Sequence, residues 1–284
     1  MHEAEADTTM GQAMPAATST VKVSDNEELD VWVVGEGTPV VLVHGGFWYF
    51  FLKPLAEELA KRGGYQAIWY HRRGYKGKPT EPVDVQEQAR DIVKILDELE
   101  IRKAHVVGHS AGVAFALELA MEAPDRVLSA ALFDASLANL VPSFEMLREL
   151  AKPSIEKARA GDFEGAAADW LAAFGGTKEF LEPALPGSWS AMAEDAQTFF
   201  QVDQPALMNW KPDPSKVKAI EVPLAFMSVS ALPPIEDTAK LLKKWQPTLT
   251  ILEISTDDHF FPVTGPAETA EVYDKWIKSQ GTTN

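Results

Sequence analysis

Residues 104–112, AHVVGHSAG, restrict the fold of this chain more than any other stretch. The apolar run Ala104 to Val107 predicts a buried strand that ends at Gly108. From Ala111 onward, Val113, Phe115, Ala116, Leu119 and Ala120 recur at helical spacing. Only a tight reversal fits between the two. Strand and helix then pass close together, which calls for small residues beside the bend, and Gly108, Ala111 and Gly112 provide them. Ser110 is left at the apex with its hydroxyl held out from the strand end. A bare G-x-S-x-G pattern also suits an ordinary Gly/Ser turn, but between a buried strand and a helix it specifies a strained apex.

Upstream, residues 20–23 and 28–34, separated by Ser24-Asp25-Asn26, predict a short opening hairpin. The unbroken run Val40, Val41, Leu42 and Val43 suits a strand covered on both faces. It delivers the chain to His44-Gly45-Gly46-Phe47, where a glycine pair lets backbone N–H groups approach a developing oxyanion. The amides of Phe47 and Ala111 are the expected donors, and His44 reads as a structural histidine bonded to the backbone. Residues 50–62 predict a helix ended by Gly63-Gly64, residues 65–70 a strand, and residues 85–99 an amphipathic helix through Ala89, Ile92, Val93, Ile95 and Leu96. In so acidic a chain, Arg72 and Arg73 in the intervening turn are expected to pair with nearby carboxylates rather than hold an anion.

Downstream, residues 127–133 form another predicted strand with Asp134 at its C-terminal end. Alternation then stops. Residues 137–219 are helical in pattern and rich in aromatics, and prolines at 142, 153, 183, 186, 205, 212 and 214 are expected to cut them into short helices. With no sheet of its own, this run reads as a lid over the strand ends, most of its aromatics packing on one another and a minority facing a pocket. Strands resume over 224–229 and 249–254, with helices over 235–244 and 267–278, and His259 follows the last strand in Asp257-Asp258-His259-Phe260-Phe261-Pro262. The expected organisation is an arm over 1–19, an α/β core over 20–136 and 220–284, and the lid. The core is expected to be a mostly parallel, doubly wound sheet of about eight strands with helices on both faces.

Charge and composition narrow the function classes. The 26 basic and 42 acidic residues give a formal charge of −16, which argues against nucleic acid and anionic membrane surfaces as partners. The absence of cysteine excludes disulfides, thiolate chemistry and Cys-ligated metal. No apolar run reaches the length of a membrane span, so a soluble protein is expected, either cytoplasmic or exported with its signal peptide already removed. Residues 1–19 lack a basic n-region and an apolar h-region and read as a disordered arm.

Doubly wound sheets hold ligands at the carboxyl ends of their strands, and Phe47, Ser110, Asp134 and His259 all follow strand ends. A serine hydroxyl is a weak nucleophile at neutral pH and needs a base, with an acid to orient that base and stabilise its protonated form. His259 is the candidate base, whereas His109, inside the turn, reads as a packing residue. With HGGF, GHSAG and DHFFP in this order, the chain resembles the α/β-hydrolases over residues 20–278, and FFQVDQPALMNW resembles the lid segment of an esterase-like branch. That family usually places the acid after the strand at 224–229, where this chain reads Ser228-Val229-Ser230-Ala231-Leu232-Pro233 with no carboxylate. The resemblance then points to Asp134 as a displaced acid, a feature of the zearalenone-lactonase type, whose corresponding stretch DRVLSAALFD resembles. Glu236 and Asp237 are the alternative acids, and a helix cap is the structural alternative for Asp134.

The resemblance implies a cofactor-free, metal-free serine hydrolase acting on an ester or lactone, with Ser110, His259 and Asp134 catalytic and Phe47 and Ala111 forming the oxyanion hole. An aspartate at the apex would have indicated a dehalogenase or epoxide hydrolase. Gly46, Trp170, Trp189, Phe199, Trp210 and Phe260 are the candidate substrate contacts, and the aromatic lid suggests a bulky apolar substrate, a macrolactone such as zearalenone included. The partner expected is that small molecule, with a homodimer as an option. Alternatives are a C–C hydrolase or hydroxynitrile lyase on the same frame, or a ligand receptor that retains the triad.

Overall fold

The computed structural model describes residues 14–281 except 79, 136, 138, 139, 230, 231 and 257. Residues 1–13 of the arm, Ser230 and Ala231 at the family's usual acid position, and Asp257 therefore lie outside the described residues. The chain opens with β1 (Ser19–Ser24), β2 (Glu27–Val34) and β3 (Gly37–Val43), followed by α1 (Lys53–Arg62), β4 (Gly64–Tyr70), α2 (Val85–Glu98), β5 (Ala104–His109), α3 (Gly112–Glu122) and β6 (Val127–Phe133). Next come α4 (Phe144–Arg159), α5 (Phe163–Ala172), α6 (Lys178–Ala184) and α7 (Ser188–Thr198), a π-helical turn at Phe199–Asp203, α8 (Gln204–Asn209) and α9 (Pro214–Lys218). The sheet resumes with β7 (Leu224–Met227), α10 (Pro233–Trp245), β8 (Thr250–Leu252), α11 (Phe261–Thr264) and α12 (Pro266–Ser279).

Among the described residues the strands form one eight-stranded sheet in the order β1-β2-β4-β3-β5-β6-β7-β8. The β1–β2 and β2–β4 pairs are antiparallel and the others parallel. The continuous apolar runs of the central strands follow from burial on both sides. Val40 and Leu42 of β3 face one apolar layer and Val41 and Val43 the other, and β6 divides Ala131 and Phe133 from Ala130 and Leu132 in the same way. Leu55 and Leu59 of α1 with Tyr273 and Trp276 of α12 cover the first face; Ile92 of α2, Phe115 of α3 and Leu242 of α10 cover the second.

Two expectations need correction. The described end of the arm is tied down rather than loose: Trp32 Nε1 donates to Pro15 O at 2.9 Å, Val33 N donates to Thr18 Oγ1 at 3.0 Å, and Ser19 already belongs to β1. The prolines do not all break helices either. Pro214 sits in the first turn of α9, where no donor is missed, and Pro205 falls where the unbroken helical run of α7 and the π-helical turn passes into α8, but Pro153 lies inside α4 and Pro183 inside α6. Both interior prolines are exposed, so water can take the carbonyls they leave without donors. Among the described residues no helix is long and apolar enough to cross a membrane.

His105 on β5 faces Ser129 of β6, its Nδ1 2.7 Å from Ser129 Oγ, and its Nε2 has no partner among the described residues. Burial pushes this imidazole down from 6.5 to about 4. The unfolded chain therefore takes up a proton that the folded chain refuses. The resulting stability is complete above the unfolded value and is lost as the pH falls toward the folded one. Between about pH 7 and about pH 5 the wild type is expected to lose about 2 kcal/mol more than His105→Gln, as read from urea unfolding at each pH. Equal acid slopes would show that His105 is already protonated in the fold.

Candidate active site

The apex at Ser110 is built by close approach. Ser110 has a φ of 52°. A Cβ added to Gly108 would lie 2.4 Å from Gly112 O, and one added to Gly112 would lie 2.1 Å from Val43 O, so β5, α3 and β3 meet at a distance only glycine allows. Ser110 N donates to Phe133 O at 2.9 Å, which ties the apex to β6 as well.

The loop after β3 comes equally close, since a Cβ on Gly45 would lie 2.9 Å from Ser110 Cβ. Phe47 has a φ of 69°, and Trp48 N donates to Gly46 O at 2.9 Å across it, which makes Phe47 the centre of a strained γ-turn. Among the described residues, neither the Phe47 amide nor the Ala111 amide has a backbone or side-chain acceptor, so both N–H groups remain available. His44 does not face the serine. Its Nδ1 lies 2.8 Å from Gly45 O and its Nε2 accepts from Arg72 N at 3.1 Å, an arrangement that requires neutral imidazole, and burial holds its pKa well below the ordinary value.

Asp134 ends β6 with a φ of 46°. Its Oδ2 lies 2.6 Å from His259 Nδ1, and its Oδ1 accepts from Val229 N at 3.1 Å, beyond the end of the adjacent strand β7. The carboxylate thus reaches across to the place where the family usually puts its acid. Glu236 pairs with Lys240 at 3.5 Å and Asp237 accepts from Ser143 Oγ at 2.6 Å, both on α10 and away from His259. His109 stacks on Phe51 at 4.7 Å, and its Nε2 lies 2.9 Å from His259 O. Burial first, then the neighbouring His259, pushes His109 down to about 3, so it stays neutral beside the candidate base.

Ser110, His259, Asp134, Phe47 and Ala111 all line one cavity of about 590 Å³ under the helices inserted between β6 and β7. Gly46, Trp170, Phe199, Trp210 and Phe260 line it too. Trp170 meets Phe199 edge-on at 5.0 Å, and Trp210 is anchored by Nε1 donating to Glu118 Oε2 at 2.7 Å. Trp189 is the exception. It packs partly buried at the start of α7, where its backbone N donates to Glu182 Oε2 at 2.9 Å, and it does not line the cavity. Sequence reasoning missed Phe174, whose ring lies 5.0 Å from His259, and Trp48 and Phe51, which also line the wall. The available signal was position: Trp48 and Phe51 follow the HGGF motif directly.

A family model described as "Alpha/beta hydrolase family" matches residues 40–276. Over 102 residues the chain is 39% identical to a provisionally named carbamate hydrolase, RutD, of Azorhizobium caulinodans, across 34% of this chain and 36% of that protein. The match thus spans little more than a third of that relative's length. A thermophilic esterase from Thermogutta terrifontis superposes with a TM-score of 0.75 at 18% identity, covering 94% of this chain and 99% of that one. The enol-lactonase from Burkholderia xenovorans LB400 superposes with a TM-score of 0.73 at 17% identity, covering 91% and 99%. At such identities the two structures show a shared fold alone.

The 2.6 Å contact to Asp134 orients the His259 ring and would stabilise its protonated form. Asp134→Asn is therefore expected to lower kcat by on the order of 10⁴-fold, while Glu236→Gln and Asp237→Asn stay close to wild type. Steady-state kcat for the three variants decides between them. A loss below about tenfold in Asp134→Asn, with collapse of either α10 variant, would move the acid to α10.

Proposed function

This chain belongs to the alpha/beta hydrolase family, and within it we propose a serine hydrolase that cleaves a carboxylic ester or lactone through an acyl-enzyme. The observation that carries this reading is the Asp134–His259 contact in the same cavity wall as the Ser110 apex. In this mechanism His259 Nε2 takes the Ser110 hydroxyl proton as Oγ attacks the carbonyl carbon. Asp134 steadies the imidazolium through Nδ1. The tetrahedral oxyanion receives the Phe47 and Ala111 amides, and Ala111 caps the N-terminus of α3, where the helix dipole adds positive potential. Collapse of the intermediate expels the alcohol, which takes the proton from His259. Water activated by His259 then releases the acid and restores the serine. Nucleophile, base and oxyanion donors all come from the chain itself, so this chemistry asks for no cofactor.

The cavity's aromatic wall supports a bulky, apolar, ring-bearing substrate, with macrolactones such as zearalenone and aryl esters in the same class. The carbamate hydrolase named among the relatives makes aryl carbamates a natural third member of a test panel beside lactones and aryl esters. Fluorophosphonate labelling followed by that panel tests nucleophile and substrate class together. Ser110→Ala should abolish labelling and lower kcat by on the order of 10⁶-fold with little change in stability. Near-wild-type hydrolysis of every substrate by this variant would rule out the covalent mechanism.

The cavity wall generates a second expectation. Trp170→Ala and Phe199→Ala should raise KM for bulky esters relative to small ones, whereas Trp189→Ala should leave that preference alone and lower only thermal stability. A panel of short and bulky aryl esters, read beside Tm, separates the two effects. A shift in preference caused by Trp189→Ala and by neither of the others would reverse the assignment.

A further inference from the structure

The π-helical turn at Phe199–Asp203 touches the loop His44–Phe47 from two sides. Above it, the Phe199 ring lies 4.4 Å from the Phe47 ring, and a Cβ on Gly46 would come within 2.7 Å of Phe199 Cδ2. Below it, the fully buried Asp203 binds Arg72 in a two-pronged pair, Oδ1 to Nη1 at 2.7 Å and Oδ2 to Nη2 at 2.6 Å. Arg72 passes the constraint on: Nη2 also donates to Gly45 O at 2.8 Å and Nε to His44 O at 3.3 Å. Nη1 donates further to Gln88 Oε1 at 2.8 Å, and Tyr75 Oη donates to Asp203 Oδ2 at 2.5 Å. The guanidinium lies between the rings of Tyr75 and Phe115, at 4.8 and 4.5 Å. Every N–H of the guanidinium has an acceptor, so it has a single orientation available.

Arg72 pairs with a carboxylate, as the acidic sequence predicts, and its further partners give it a direction. In a planar trans peptide the carbonyl and the following N–H point opposite ways, so holding the His44 and Gly45 carbonyls toward Arg72 turns the Gly45 and Gly46 amides away from it and fixes the two peptides that lead into the Gly46–Phe47 peptide, whose own carbonyl accepts from Trp48 N. The adjoining γ-turn at Phe47 is strained, and a strained turn persists only where its surroundings over-determine it. The surroundings here come from the lid.

We propose that Arg72 and Asp203 are positioning residues that, with Phe199, make the lid's π-helical turn hold the Phe47 amide in its oxyanion-binding orientation. The proposal rests on the serine hydrolase reading. It couples the seating of this turn to transition-state stabilisation: the oxyanion site is complete only when Asp203 is seated on Arg72.

The test uses an apolar replacement of both charges, Arg72→Met with Asp203→Leu, because removing one partner would leave a buried unpaired charge and threaten folding. With 4-nitrophenyl butyrate as substrate, the double variant should keep KM within about threefold while kcat falls by roughly 10- to 100-fold, the scale of a misplaced catalytic group. The Ki of phenylboronic acid, whose tetrahedral serine adduct places an oxygen at the oxyanion site, should rise by the same factor as kcat falls. A merely structural pair would lower Tm and leave the kcat-to-KM split and the boronate Ki unmoved. Arg72→Lys, which keeps a cation beside Asp203 but loses the planar fork that holds the His44 and Gly45 carbonyls, is the second variant if the double one does not fold, with about tenfold loss expected in kcat and in boronate affinity. Unchanged kcat and unchanged boronate Ki in a folded variant overturn the proposal. Wild-type labelling by fluorophosphonate at Ser110 separates the two failures: no labelling sinks the serine hydrolase reading, whereas normal labelling with unaffected variants sinks only this inference.

Discussion

At the ends of the adjacent parallel strands β3, β5 and β6 the backbone turns left-handed at non-glycine residues: Phe47 at 69°, Ser110 at 52° and Asp134 at 46°. Such conformations cost free energy and survive only where surrounding contacts leave no alternative. Glycine supplies the first of these contacts. Gly45, Gly108 and Gly112 let three segments of the chain approach to distances that any Cβ would prevent, and the strained residues are held beside that junction. Each turn rotates a side chain or an amide out of the sheet and toward the same cavity. The site is thus a consequence of how these parallel strands end rather than of any single loop.

The lid fastens to this junction from above. Its π-helical turn carries two side chains with opposite chemistry: Phe199 packs against Gly46 and Phe47, and Asp203 enters the core to meet Arg72. A buried ion pair is a poor source of stability, because desolvating both charges offsets their attraction. It is a good source of direction. The imidazoles of His44 and His109 stay neutral beside the strand ends, both depressed by burial, whereas the charged side chains that line the cavity, Arg148, Glu149, Lys152, Glu156 and Arg159, come from α4.

The position of Asp134 shows how a carboxylate can reach the same histidine from a neighbouring strand. β6 and β7 are neighbours in register, Phe133 beside Met227, so a side chain leaving the end of β6 needs to cross only one strand spacing to reach the base. Val229 N then binds Asp134 Oδ1 and keeps the carboxylate turned toward His259. What matters to the imidazole is the position of an oxygen, not the strand that delivers it.

The strands, the bend at Ser110 and the chain order of the motifs were legible in the sequence because their causes are local: burial on both faces writes an unbroken apolar run, and a close crossing writes glycine. His259 was legible for the same reason, as an ionisable group just past the last strand. The helical spacing between residues 137 and 219 also marked the helices inserted between β6 and β7, but their aromatics carried no local mark of direction, so Trp189 and Trp170 looked alike although of the two only Trp170 reaches the cavity. That Asp134 rather than Glu236 or Asp237 lies against His259, and that Arg72 meets Asp203 across 131 positions, is seen only in the tertiary structure. Such contacts depend on which strands lie side by side and where an inserted helix sets down. That geometry is fixed by packing of the whole chain, and no short window of sequence contains it.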